Sequence, residues 1–234
     1  AIHGSTRGSS TRAWRLRHRD GHWVSVEATP AARADGPKAG HIALAIHDVT
    51  RWTALEEALT RQAFHDPLTG LPNRALFVER VERALAGLKR GEGSHFAVLY
   101  FDLDRFKPVN DRFGHAVGDA LLAELGARLH RALRPGDTVA RLSGDEFAIM
   151  VTSPRDGSAA SHVAERVLEL VAKPIQVGDH RLTVTASMGV ALSTTGYERP
   201  EPLLHDADIA MYRAKSAGRA QYQIFDAAMH ESAL

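Results

Sequence analysis

"HFAVLYFDLD", residues 95–104, is an almost unbroken apolar run that ends in two acids. Such a run predicts a strand buried on both faces with helices covering it, so its reading decides the fold class. Outward from it, helical and strand patterns alternate. "VGDALLAELGARLHRAL" has amphipathic helical spacing, and "DTVARL" and "EFAIMVT" flank a turn at Ser143-Gly144 as a hairpin. "GSAASHVAERVLELVAK" is helical. "HRLTVTASMGVALST" is a strand, with an interruption at Gly189 left open. "PLLHDADIAMYRAKSAG" is helical, and "RAQYQIF" is a last short strand. On the other side, "ALFVERVERALAGLKR" is a helix broken by "GEGS", and "DPLTGLPNR", 66–74, is dense in turn residues. The expected fold class is α/β (α+β), a mixed central sheet flanked by helices.

Towards the N-terminus, residues 1–12 are small and polar and read as a lead-in. "AWRLRHRDGHWVSVEATPA" alternates large and polar residues on both sides of Asp20-Gly21, a hairpin pattern, and "HIALAIHDVT" adds a third antiparallel strand. So few apolar residues make a thin core. "RWTALEEALTRQAFH", 51–65, carries a narrow stripe at Trp52, Leu55 and Leu59, as in a helix that pairs with another helix. The expected boundaries are therefore 1–50, a linker helix 51–65, and 66–234.

The bulk numbers exclude several classes. A net charge of +1 with 24% charged residues gives no basic stripe for a nucleic-acid polymer. With 44% hydrophobic residues the chain can fill a core. There is no Cys, hence no disulfide, thiolate nucleophile or Cys-ligated zinc, which fits a reducing compartment. No apolar run approaches the roughly 20 residues of a membrane span. The expected location is cytoplasmic, with tethering through an upstream segment left open. His residues show no HExxH or other paired ligand spacing, and neither GxSxG nor a P-loop occurs.

The chemistry concentrates at strand ends. Asp102 and Asp104 end the run at 95–104, and Asp145 and Glu146 sit at the hairpin tip. If those strands are neighbours, the carboxylates converge at one sheet edge. Hard oxygen ligands suit Mg²⁺ or Mn²⁺, which shares its shell with substrate phosphates, so a nucleoside triphosphate site is the natural reading. Backbone N–H groups after Asp104, at Arg105, Phe106 and Lys107, can face an anion as a nest. Lys215 and Arg219, spaced i and i+4, would present two cations on one helix face. Asn110 and Asp119 offer an amide and a carboxylate that can read a guanine edge. Each feature also has a plain structural reading: a strand-end turn, a solvated helix end, and cap chemistry at "FGH" and "GD".

Taken together, "FDLDRFKPVNDRFGHAVGD", "RLSGDEFAIM", "DPLTGLPNR" and "MYRAKSAGR" resemble the GGDEF family of diguanylate cyclases over about residues 60–226. The resemblance implies a fold related to the adenylyl cyclase and polymerase palm. It implies condensation of two GTP into cyclic di-GMP with release of two pyrophosphates. It implies that Asp102, the Leu103 carbonyl and Asp145 hold the metals, with Glu146 a further ligand or the base for the 3′-hydroxyl. Asn110 and Asp119 would read guanine. Lys107, Lys215 and Arg219, with the N–H groups near Arg105 and Phe106, would hold phosphates. One GTP per domain implies a homodimer. "RPGD", Arg134 to Asp137, resembles the family's inhibitory product site, with Arg166 as its secondary Arg; a plain turn is the alternative. The family's first signature Gly is Ser143 here. A catalytically weak or inactive domain that binds GTP or cyclic di-GMP is the rival reading. "RHRDGHWVSVEA" and "IHDVTRWTALEEAL" resemble the C-terminal half of a PAS sensor domain.

Overall fold

A computed structural model describes residues 12–33, 42–152 and 157–229. Nearly all of the expected lead-in, and residues 230–234, lie outside the described residues. The chain divides into two compact units, 1–61 and 62–234.

The first unit is a three-stranded antiparallel sheet of β1 (Arg12–Arg17), β2 (Trp23–Arg33) and β3 (Ile42–Asp48), in that order. The expected hairpin turns at Asp20-Gly21, closed by His18 N–H donating to His22 O at 2.8 Å. Val26 is its buried apolar side chain among the described residues, whereas Trp14, Leu16, Trp23, Leu44 and Ile46 are exposed. Helix α1 (Thr50–Phe64) starts where the Asp48 carboxylate accepts the Thr50 N–H at 2.9 Å. Its stripe residues Trp52, Leu55 and Leu59 are exposed.

The second unit is built on the run that ends in Asp104. It holds helix α2 (Arg74–Lys89), β4 (Phe96–Asp104), α3 (Phe106–Phe113), α4 (His115–Ala132), β5 (Thr138–Ser143) and β6 (Glu146–Thr152). There follow α5 (Ser158–Ala172), β7 (Ile175–Val177), β8 (His180–Leu182), β9 (Thr185–Leu192), α6 (Pro200–Ser216) and β10 (Tyr222–Ile224). The five-stranded sheet has the order β10-β9-β4-β6-β5, parallel only between β10 and β9, so it is mixed. β7 and β8 pair separately.

Strand parity explains the layers. On β4, Ala97, Leu99, Phe101 and Leu103 pack with α4 and α5 residues such as Leu121, Leu125, Ala164 and Val167. Phe96, Val98 and Tyr100 face the other way, with Phe77, Val81 and Leu85 of α2 and Leu203, Ala207 and Met211 of α6. Stacked Phe101 and Phe147, 5.5 Å apart, add about 1 kcal/mol beyond burial. β9 runs unbroken through Gly189, which pairs with Tyr100; the break falls earlier, at Thr183 and Val184. Gly189 serves close packing instead: a Cβ there would lie 1.9 Å from the Ala207 carbonyl. That contact seats α6 on the sheet.

Candidate active site

Parity also aims the acids. Asp102 is the next residue on the Phe96, Val98, Tyr100 face of β4, and its register partner across β6 is Glu146. Asp145 sits in the two-residue turn between β5 and β6, where its carbonyl accepts the Leu103 N–H at 3.4 Å. Leu103 itself is buried on the opposite face. Gly144 takes the positive φ of the turn, +45°. The turn is braced from outside: Arg141 Nε donates to the Gly144 carbonyl at 2.9 Å. Arg141 Nη1 reaches both oxygens of Asp66 at 3.0 and 3.1 Å. Asp66 also accepts from the Thr69 amide at 2.8 Å and the Thr69 hydroxyl at 2.6 Å. The turn-rich "DPLTGLPNR" segment is thus the brace of the acid tip.

The edge is electrostatically loaded. Burial pushes the Asp102 carboxyl above its ordinary range, and neighbouring Asp145 pushes the same way; the Lys215 ammonium, 3.0 Å from Asp102 Oδ1, opposes both. Burial likewise raises Asp145, with Glu146 adding to it, against its own backbone hydrogen bond and Lys215. Sequence reasoning missed two members. Asp208 on α6 is raised by burial and by the Glu146 charge. Tyr100 is raised by burial, by the charges of Glu146 and Asp208, and by its hydrogen bond to Glu146. The signal for Tyr100 was parity, since it precedes Asp102 by two residues on one strand face; Asp208 lies on α6, seven residues before Lys215. Asp102, Asp145 and Asp208 all pushed upward, with an ammonium already drawn onto one of them, fit a hard divalent cation.

Two expected neighbours sort differently. Asp104 turns away from metal chemistry: it is buried and accepts from the Thr185 and Ser187 hydroxyls, both at 2.7 Å, and from the Ala220 N–H at 3.1 Å. Lys215 and Arg219 do not share a helix face. α6 ends at Ser216, and Arg219 lies beyond it with φ +67°, its Nε 4.0 Å from Asp104. Gly218 and Ala220 also have positive φ, so the chain reverses there and the i, i+4 rule lapses.

After β4 the chain does not form a loose nest. Arg105, at φ +56°, turns it directly into α3, so the N–H groups of Phe106 and Lys107 are first-turn donors of a helix, a standard anion position. Arg105 and Lys107 are exposed and Phe106 is buried. Asn110, within the last turn of α3, has a buried Oδ1 with no hydrogen-bond partner among the described residues, packed over Gly118 of α4, where a Cβ would sit 1.9 Å away. Asp119 is exposed on the same helix, one residue on.

Arg134, Asp137 and Arg166 line one cavity of about 400 Å³ with His162 and Val163. Asp137 Oδ2 accepts the Arg134 N–H at 3.3 Å, so the turn reading of "RPGD" also holds. Arg166 Nε is buried with no hydrogen-bond partner among the described residues. In the first unit, His18, Asp20 and His22 gather at the hairpin tip with ligating atoms within 4.8 Å of one another, a pairing missed because it spans a turn. All three are exposed, and Arg19 lies 3.7 Å from Asp20.

The profile "Diguanylate cyclase, GGDEF domain" matches residues 63–221. The chain is 41% identical over 175 residues to the bifunctional diguanylate cyclase/cyclic di-GMP phosphodiesterase MucR of Pseudomonas aeruginosa, covering 75% of this chain and 25% of MucR. It is 42% identical over 168 residues to the diguanylate cyclase TpbB of the same species, covering 71% of this chain and 38% of TpbB. It thus spans well under half of these relatives. Among solved structures, the GGDEF domain of P. aeruginosa TpbB (YfiN) superposes with a TM-score of 0.68 at 39% identity, over 72% of this chain and 98% of that one. The coiled coil and GGDEF domain of DgcB from Caulobacter crescentus, in complex with c-di-GMP, gives 0.68 at 27% identity, over 75% and 93%.

Proposed function

The chain belongs to the GGDEF-domain diguanylate cyclase family, and from that premise we propose that it condenses two GTP into cyclic di-GMP. Each 3′-oxygen attacks the α-phosphorus of the other nucleotide in line, forming one P–O bond as the bond to pyrophosphate breaks; two pyrophosphates leave. Asp102, the Leu103 carbonyl and Asp145 would hold Mg²⁺ or Mn²⁺, which supplies charge neutralisation on the triphosphate and Lewis-acid activation. Glu146, beside them, is a further ligand or accepts the 3′-hydroxyl proton. Asn110 and Asp119 read the guanine edge, the buried orphan Oδ1 being the donor-seeking end of that pair. Lys107, Lys215 and Arg219, with the N–H groups of Arg105 and Phe106, bind phosphates.

One observation carries the reading: Asp102 and Glu146 are register partners, with the Lys215 ammonium 3.0 Å from Asp102 and burial pushing Asp102 and Asp145 upward. Two bound nucleotides must face each other, so the working form is a homodimer. Cyclic di-GMP returns to Arg134, Asp137 and Arg166 as inhibitor, stacking and bonding its guanines on the arginines. Residues 1–50 act as part of a PAS-like sensor, 51–65 as the lever that sets dimer geometry, and 66–234 as the cyclase. GTP as substrate places the reaction in the cytoplasm. Among the described residues no helix is long and apolar enough to cross a membrane.

The second reading, a domain that binds GTP or cyclic di-GMP without turnover, rests on Ser143 standing where the family signature has Gly. Incubation with GTP and Mg²⁺ at high protein concentration, after bound product is stripped, decides between them. Cyclic di-GMP should accumulate; nucleotide binding without product would establish the binding module.

A further inference from the structure

We propose that Ser143 is a positioning residue for Glu146, its hydroxyl fixing the carboxylate in one orientation at the acid edge. This rests on the metal-site reading above and goes beyond it, because a glycine at this position has no hydroxyl to offer.

The geometry is local and directional. Ser143 and Glu146 are register partners flanking the two-residue turn, and the pairing shifts between Arg141 and Ser143. A register shift of this kind re-aims a side chain next to a turn. Ser143 Oγ donates to Glu146 Oε2. Tyr100, on the strand beside it, has its hydroxyl close enough to the same carboxylate to feel its charge. Tyr100 pairs with Ala148, two residues along from Glu146 on the same face, so the contact is a cross-strand diagonal. One hydroxyl therefore bonds the carboxylate, from Ser143, and a second lies near it on the neighbouring strand.

The turn can present Ser143 rigidly and without strain. The positive φ falls on Gly144, not on Ser143. Arg141 clamps the turn carbonyl and is itself held by Asp66. Glu146 needs such holding, because Asp145 and Asp208 both repel it and its side chain has three rotors to escape by. Hydrogen bonds from outside the ligand set orient a metal-binding carboxylate, and losing one typically weakens metal affinity or activity 10- to 100-fold.

The test compares S143A, S143G and S143T with the parent chain. Mn²⁺ affinity is measured by the EPR signal of free Mn²⁺ in the presence of a non-reacting GTP analogue, alongside kcat and KM for GTP. S143A and S143G should each weaken Mn²⁺ affinity and lower kcat about tenfold while KM stays near parental. S143T, which keeps the hydroxyl, should restore both. In an E146Q background S143A should add nothing. Parental Mn²⁺ affinity in S143A and S143G, or an undiminished effect of S143A in E146Q, would overturn the proposal. D145N separates the two layers. If D145N binds Mn²⁺ like the parent, the metal assignment falls and this proposal with it. If D145N loses Mn²⁺ and S143A does not, this proposal alone falls.

Discussion

Two β-hairpin tips of the molecule gather several charged or titratable side chains, β1–β2 and β5–β6, and they behave oppositely. At the β1–β2 tip, His18, Asp20 and His22 are exposed, with strands behind them that leave Trp14, Leu16 and Trp23 in solvent. At the β5–β6 tip, Asp145 and Glu146 stand at the mouth of a sheet whose Phe147 and Ile149 are fully buried. Burial raises Asp145 there, and a buffering lysine lies on its neighbour Asp102. An aspartate thus sits in water at one tip and in a partly desolvated field at the other. Charge at a turn marks a site when a buried sheet and a brace stand behind it, since only then does holding the charges together oppose a real penalty.

The largest expected effect breaks the second tip. D145N should lower turnover more than about 10²-fold, read as cyclic di-GMP formed per minute, with near-UV and far-UV spectra unchanged. Near-parental turnover would return the tip to the status of the first. Next comes the brace. D66N leaves the Arg141 guanidinium, which is largely buried, without its anion and should destabilise the second unit by about 2–3 kcal/mol in urea unfolding. Burial alone would raise Asp66, but the Thr69 hydroxyl and amide and the Arg141 guanidinium together hold it below the usual range. A carboxyl depressed in the fold stabilises above its unfolded pKa. That stabilisation should be fully present at neutral pH and disappear as pH falls through the depressed value. D66N should lack this acid-side loss.

The opposite end of the β5–β6 hairpin sharpens the comparison, because Asp137 enters β5. R134A should weaken inhibition by added cyclic di-GMP about tenfold without changing the initial rate. Unchanged inhibition would leave "RPGD" as a turn only. A smaller effect concerns stability at neutral pH without metal. Asp102 and Asp145 have raised folded values, so they destabilise once ionised, and stability should rise as pH drops into the window between their raised and ordinary values. D145N removes one such charge and should raise the metal-free Tm by roughly 1–3 °C. The smallest effect is at the first tip: D20N should change unfolding free energy by less than about 0.5 kcal/mol.

Much of the second unit was legible because "HFAVLYFDLD" and "EFAIMVT" are long apolar runs with acids fixed to their ends. Strand parity then converts sequence position into side-chain direction. Helix α3 was not legible, since its eight residues, with a Pro inside and "NDRF" at the end, resemble a loop; the left-handed Arg105 starts it. Gly189 misled because a glycine in a strand signals a break, whereas here it admits the α6 backbone. Arg219 misled because helical spacing was extended past Ser216 into residues with positive φ. Asp104 shared its parity with Asp102, but only tertiary structure could show Thr185 and Ser187 already bonded to it. His18 and His22 escaped notice because four-residue spacing was read for helices and not across a hairpin.

The central claim is that Asp102 and Asp145 meet around a divalent ion that carries guanosine triphosphate. Anomalous diffraction from crystals grown with Mn²⁺ and a non-reacting GTP analogue tests it most directly. A peak should lie between those two carboxylates, about 2 Å from an oxygen of each. A bound nucleotide with its Mn²⁺ peak elsewhere, or a peak only at His18, Asp20 and His22, would contradict it.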